Sequence, residues 1–128
     1  MTFVDTSIWV DAFRVAGGSN ASHLRDLLDS DQVALAIPVR IEILSGASRA
    51  DRARLRRVLS ALPVFSPVDA TWTRMEEWVD RAGDAGERFG VGDLLVGSIA
   101  ADRDGDVWSS DRDFARMARL GLVKLHVW

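Results

Sequence analysis

A layered α/β fold built on a mostly parallel sheet is what this sequence predicts, on three observations. Short, uniformly apolar runs recur along the chain, as expected of strands covered on both faces. Between them lie segments whose apolar residues repeat at helical spacing. The length, 128 residues with 48% hydrophobic and 27% charged, suits one globular domain spanning 1–128 and is too short for two.

Thr2-Phe3-Val4 predicts a buried strand, and the helix after it carries Ile8, Trp9, Ala12 and Phe13 on one face. Gly17-Gly18-Ser19-Asn20 is the clearest loop, and Leu24, Leu27 and Leu28 mark a second helix. Val33 to Ala36 predicts a second strand, and Pro38 stands where a helix can begin. That third helix carries Glu42 and stops near Gly46. Leu55, Val58, Leu59 and Leu62 predict a fourth helix, closed by Pro63, with Val64-Phe65 as a short strand. Trp72, Met75, Val79 and Ala82 repeat at helical spacing through a fifth. From Gly92 to Arg103 the chain is apolar on most sides of a helix, which predicts burial. Val107-Trp108 is a strand, Arg112 to Arg119 a short helix, and Val123 to Val127 the last strand.

Composition removes several classes of function. With no cysteine there is no disulfide, thiolate zinc site or cysteine nucleophile. No apolar stretch approaches the roughly 20 residues of a membrane helix, and no secretory signal precedes the first strand. A soluble, cytoplasmic protein is expected. The net charge of −3 argues against non-specific nucleic-acid binding, yet 15 of the 16 basic residues are arginine. Arg49, Arg52, Arg54, Arg56 and Arg57 form a cluster able to grip an RNA backbone or an acidic partner, or simply a solvated helix face near a subunit contact.

In open parallel sheets, sites form beyond the carboxyl ends of the strands. Asp5 follows the first strand there, and Asp111 and Asp113 follow Val107-Trp108. Glu42 lies one turn into the helix after the second strand, and Asp93 opens the apolar helix. Asp5, Asp93 and Asp111 each also suit a helix N-cap. Glu42 is flanked by Ile41, Ile43 and Leu44, and a Glu on a mostly buried helix is uncommon unless paired, with Arg40 as an available partner. Capping explains each Asp alone. It does not explain four acids from four segments at one edge. Mutually repelling carboxylates with only oxygen donors favour a hard cation, Mg²⁺ or Mn²⁺. Thr6, Ser7 and Ser109 are placed to orient such ligands or their waters.

Phe3-Val4-Asp5-Thr6-Ser7-Ile8-Trp9, Glu42 within Val39 to Gly46, Gly92 to Ala100, and Ser109-Ser110-Asp111-Arg112-Asp113-Phe114 occur in order. Together they resemble a PIN domain, in particular a VapC-type toxin of a bacterial toxin–antitoxin pair, along the whole chain. The resemblance implies a three-layer α/β/α sandwich and a Mg²⁺-dependent endoribonuclease. It assigns Asp5, Glu42 and Asp93 to the metal site, with Asp111 or Asp113 as the late acid; many relatives carry Asn where Asp111 stands and Thr where Ser109 stands. It also implies a homodimer, with the fourth helix as a dimer contact. A small antitoxin would be received by the apolar faces around Trp9–Phe13 and Leu24–Leu28.

In the expected mechanism Asp5 and Asp93 hold the principal ion, Glu42 positions or deprotonates the attacking water, and Asp111 or Asp113 completes a second ion site or the outer shell of the first. The arginine cluster and Arg112 are candidate RNA or partner contacts. Two other classes compete. A degenerate PIN domain that only binds RNA or protein would gain nothing from clustered acids. A phosphotransfer receiver would use Lys124 but needs an acceptor Asp ending its central strand, and Val64-Phe65-Ser66-Pro67, read as that strand, offers none. A haloacid-type phosphatase needs two acids one residue apart after the first strand, where Thr6 and Ser7 stand instead. His23 and His126 have no partner at ligand spacing and read as structural.

Overall fold

The computed structural model describes the whole chain, Met1–Trp128. Five strands form one parallel sheet: β1 (Thr2–Val4), β2 (Val33–Ala36), β3 (Val64–Phe65), β4 (Asp106–Trp108) and β5 (Lys124–Leu125), in the order β3-β2-β1-β4-β5. Helices α1 (Thr6–Arg14) and α2 (Ser19–Asp29) join β1 to β2, and α3 (Ile37–Gly46) and α4 (Arg49–Ser60) join β2 to β3. Then α5 (Asp69–Asp84) and α6 (Val91–Asp102) carry the chain back to β4, and α7 (Arg112–Arg119) leads to β5. From β1 the chain winds one way to β3, then crosses back and winds the other way. Right-handed connections therefore set α1–α4 on one face and α5–α7 on the other, the expected sandwich. No helix is long and apolar enough to cross a membrane.

The sheet is the centre of the core. Phe3, Val4, Val33 to Ala36 and Val107 are all at most 2% exposed, so the uniformly apolar runs are covered on both faces as anticipated. Several local expectations need correction. The last strand is two residues rather than five, since β4, its only neighbour, is itself three residues long. On α5 the buried stripe is Thr71, Met75, Trp78 and Ala82, one step round from the expected one, while Trp72 and Val79 face outward. A polar residue joins that stripe because Thr71 is satisfied inside: its hydroxyl donates to Asp102, and Ser98 Oγ donates to the Thr71 carbonyl at 2.9 Å. On α3 only Val39 and Ile43 are buried. β3 lies at the sheet edge, and the central strand is β1, which ends at Val4, just before Asp5.

His23 and His126, though 103 positions apart, meet at 2.8 Å through their Nε2 atoms, and His126 Nδ1 lies 2.9 Å from Asp106 Oδ2. The Trp128 ring stacks on His23 with centroids 4.1 Å apart. Burial first, then the neighbouring His126, hold His23 below its ordinary pKa, against a smaller opposing pull from Asp26. The folded state thus favours neutral His23, and its contribution to stability is present above pH about 6.5 and lost as pH falls through the lowered folded value. The expected result is that His23→Gln narrows the loss of melting temperature between pH 7.5 and 5.5 relative to the parent. Identical slopes for the two proteins would refute a role for His23.

Candidate metal centre

The sheet reverses its winding between β1 and β4, and that switch point is where an open parallel sheet leaves a crevice at its carboxyl edge. Val4 pairs with Trp108 across the two strands, so the residues that follow them, Asp5 and Ser109, emerge side by side. The Asp5 amide donates to the Trp108 carbonyl at 2.9 Å, which fixes the start of α1 against β4. Asp5 occupies the N-cap position of α1 but makes no side-chain cap bond. Its Oδ2 instead accepts from Ser109 Oγ at 2.7 Å and Ser7 Oγ at 3.1 Å. The two hydroxyls lie 3.3 Å apart, and the amides of Ser110 and Asp111 donate to Ser7 Oγ and Ser109 Oγ. The side chain is thus turned away from the helix it could have capped and clamped from two chain segments.

Asp93 is the third residue of α6, whose N-cap is Gly90, so it is not a cap either. Its oxygens and those of Asp111 and Asp113 offer three ligand atoms within 4.8 Å of one another. Burial pushes the Asp93 carboxyl up from the ordinary value of 3.8 to about 7, aided by a hydrogen bond with Asp113 and the charges of Asp111, Asp113 and Asp5. Asp111 does cap: its carboxylate accepts from the Asp113 amide at 2.9 Å. The capping alternative therefore holds for Asp111 and fails for Asp5 and Asp93. Thr6 departs from its hydroxyl neighbours, since its Oγ1 is buried with no hydrogen-bond partner.

Glu42 stands apart. It is exposed on α3, like Ile41 at 58%, so the burial that singled it out is absent. It lines a cleft of about 200 Å³ with Val10, Phe13, Arg14, Ile43, Gly46, Ala47 and Leu55, and it is not among the charges acting on Asp93. Arg40 is not its partner; that guanidinium donates to Ser60 Oγ at 3.2 Å. In the apolar faces expected to receive a partner, Trp9 and Leu24 are 2% and 4% exposed and belong to the core. Leu28 is half-buried, and Phe13 alone is open, at 50%.

The arginine cluster lies on α4. Arg52 is tied back to the Ala47 carbonyl and Arg54 pairs with Asp51 at 3.6 Å, whereas Arg49, Arg56 and Arg57 are exposed without an ion-pair partner. Arg112 is exposed at the start of α7, between the two late acids in sequence. The residue not anticipated is Arg116, which joins Asp113 to Glu87; its spacing of three from Asp113 on a helix was the available signal.

A receiver is not supported, though not for the reason the sequence offered. Asp5 does follow directly on the central strand, but Lys124 pairs in register with Asp106, at the amino end of β4, and its Nζ contacts Asp104. That places it at the edge of the sheet opposite Asp5.

The family model described as PIN domain matches residues 2–120. Ribonuclease VapC11 of Mycobacterium tuberculosis is 33% identical over 125 residues, covering 94% of this chain and 93% of that protein. Two solved structures share the fold. VapBC2 from Rickettsia felis, bound to a DNA fragment from its promoter, aligns over 99% of this chain and 98% of its own, with a TM-score of 0.80 and 20% identity. VapBC-5 from Mycobacterium tuberculosis, a member of the VapBC family of toxin–antitoxin systems, aligns over 98% of both chains with a TM-score of 0.63 and 22% identity. With the family match running nearly end to end and the acids gathered at the switch point, the chain belongs to the PIN domain family, among the VapC ribonucleases.

Proposed function

We propose that this protein is a cytoplasmic, Mg²⁺-dependent endoribonuclease toxin of a toxin–antitoxin pair. The observation that carries this reading is the convergence of Asp93, Asp111 and Asp113 within 4.8 Å, beside Asp5. These donors fit a hard dication, being all oxygen, and such an ion would offset both the burial and the neighbouring negative charges that push the Asp93 carboxyl up. Asp5, Asp93 and one of the late acids would hold it. When bound, the ion supplies charge relief to the scissile phosphate and the leaving oxygen and acidifies a coordinated water.

The chain's own groups do the remainder. Ser7 and Ser109 orient Asp5 so that its free oxygen keeps one direction. Asp93 gives up its proton when the site is loaded, and is then a full anion in the cluster. Glu42, exposed on α3 in the cleft beside Phe13, is the remaining acid that would position or deprotonate the attacking water. Exposed Arg112, Arg49, Arg56 and Arg57 contact the RNA backbone or the partner. The antitoxin would seat in the cleft around Phe13, and α4, with Val58 turned outward at 52% exposure, would serve a homodimer.

Incubation with RNA and a titration of Mg²⁺ or Mn²⁺ is expected to give endonucleolytic cleavage that chelation stops. Binding of RNA without cleavage at any divalent-ion concentration would favour the degenerate domain instead.

A further inference from the structure

Arg116 is the one basic side chain that reaches the acid cluster. Half-buried on α7, it donates from Nη1 to Asp113 Oδ1 at 2.7 Å and from Nη2 to Glu87. Its guanidinium lies 4.8 Å from the centre of the Phe89 ring. Glu87 and Phe89 sit in the loop that enters α6, four to six residues before Asp93. Arg116 therefore ties together the two elements that supply the cluster. A guanidinium held by a carboxylate on each terminal nitrogen and by an aromatic face has little freedom left.

Building on the metal-site reading above, we propose that Arg116 is a positioning residue that commits Asp113 to bracing Asp93 and leaves Asp111 as the late acid that meets the ion. Both late acids have one oxygen engaged, but by different partners. Asp111 accepts from a neutral backbone amide and keeps its charge. Asp113 accepts from a cation, which cancels much of its pull on a dication. The Asp113 carboxylate also lies against that of Asp93, with ligand oxygens within 4.8 Å. An ion drawing on its other oxygen would share that carboxylate with the Arg116 cation, whereas at Asp111 it would share one with a neutral amide.

Arg116 then has two opposed effects. Its charge weakens divalent-ion binding, and its fork holds the geometry in which the ion is useful. Structural support alone would not separate these effects; positioning does. Mn²⁺ affinity measured by EPR and kcat on RNA would be compared for the parent and variants. Arg116→Met should bind Mn²⁺ about fivefold more tightly, the scale of one unit charge removed at close range in a solvated site. Its kcat should nevertheless fall about tenfold, within the range for groups that orient metal ligands. Arg116→Lys should return Mn²⁺ affinity to the parent value with only part of kcat. Asp111→Asn should weaken Mn²⁺ binding more than Asp113→Asn does. In Asp113→Asn, adding Arg116→Met should change kcat no further, because the arginine acts through that acid.

Parent-like Mn²⁺ affinity and kcat in Arg116→Met would overturn the proposal, as would a further kcat loss in the double variant. If Arg116→Met does not fold, Glu87→Gln frees one side of the guanidinium while keeping its charge. It should lower kcat about threefold without tightening Mn²⁺ binding, and an unchanged kcat there counts against positioning. Asp93→Asn separates the two levels. If it retains Mn²⁺ binding and cleavage, the metal-site reading itself fails; if it loses both while Arg116→Met is inert, only this inference fails.

Discussion

Asp93→Asn is expected to abolish RNA cleavage and, in the metal-free protein, to raise the melting temperature. The loss of activity should reach about a hundred- to a thousandfold or more, the scale of removing one group that manages charge in a transition state. The gain in stability follows from the sign of the shift. Asp93 is pushed from 3.8 to about 7, so the folded protein holds this proton more tightly than the unfolded chain does. Its effect on stability is neutral below about pH 4, grows unfavourable as pH rises toward 7, and is fully unfavourable above 7. Asparagine removes that cost. Because Asp93 is only half-buried, solvent screening reduces the gain well below the full conversion, to about 1–2 kcal/mol at pH 8, or about 3–8 °C. Mn²⁺ should raise the melting temperature of the parent and leave Asp93→Asn nearly unmoved. Thermal melts at pH 8 and pH 5, with and without Mn²⁺, check the pattern. A variant that is inactive and also less stable at pH 8 would mean that Asp93 serves the fold rather than the site. Asp5→Ala should abolish cleavage too, without the same gain, since two serine hydroxyls already satisfy its carboxylate.

Asp5, Asp93 and the late acids were legible in the sequence because each sits at a boundary that local composition marks. A short apolar run ends at Val4, another at Trp108, and a long apolar helix opens just before Leu94. What placed them together was topology, through the rule for strand ends. Strand order was not legible. Val64-Phe65 is as apolar as any central strand, and only the direction of the crossovers puts it at the edge. Helix faces were legible to within one residue: Trp72 has far more apolar surface than Thr71, yet Thr71 is buried because Asp102 and Ser98 satisfy it. Glu42 was singled out from its apolar neighbours, but Ile41 faces solvent, so neighbours along the chain did not report the environment. The His23–His126 pair and the Glu87–Arg116 contact join residues 103 and 29 positions apart, and no local spacing encodes them.

Trp9→Ala should cost about 3–5 kcal/mol of folding stability, whereas Phe13→Ala should cost less than about 1 kcal/mol. One helical turn apart on α1, the two rings touch, with centroids 6.0 Å apart, yet they face different surroundings. Trp9 is 2% exposed and its indole N–H donates to the Val4 carbonyl at 3.2 Å, so truncation leaves both a cavity and an unpaired carbonyl at the end of the central strand. That carbonyl is one residue from Asp5, so the damage should reach the acid cluster as well as the fold. Phe13 is half exposed and looks into the cleft of Val10, Ile43 and Leu55, where its loss uncovers little. Its effect belongs to recognition: as an aromatic anchor it should raise the Kd of the antitoxin about tenfold or more while leaving cleavage by the free toxin intact. Denaturant melts and antitoxin titrations on the two variants separate the roles. A stable Trp9→Ala protein, or a Phe13→Ala protein with unchanged antitoxin affinity, would show that this turn of α1 has been divided wrongly between core and groove.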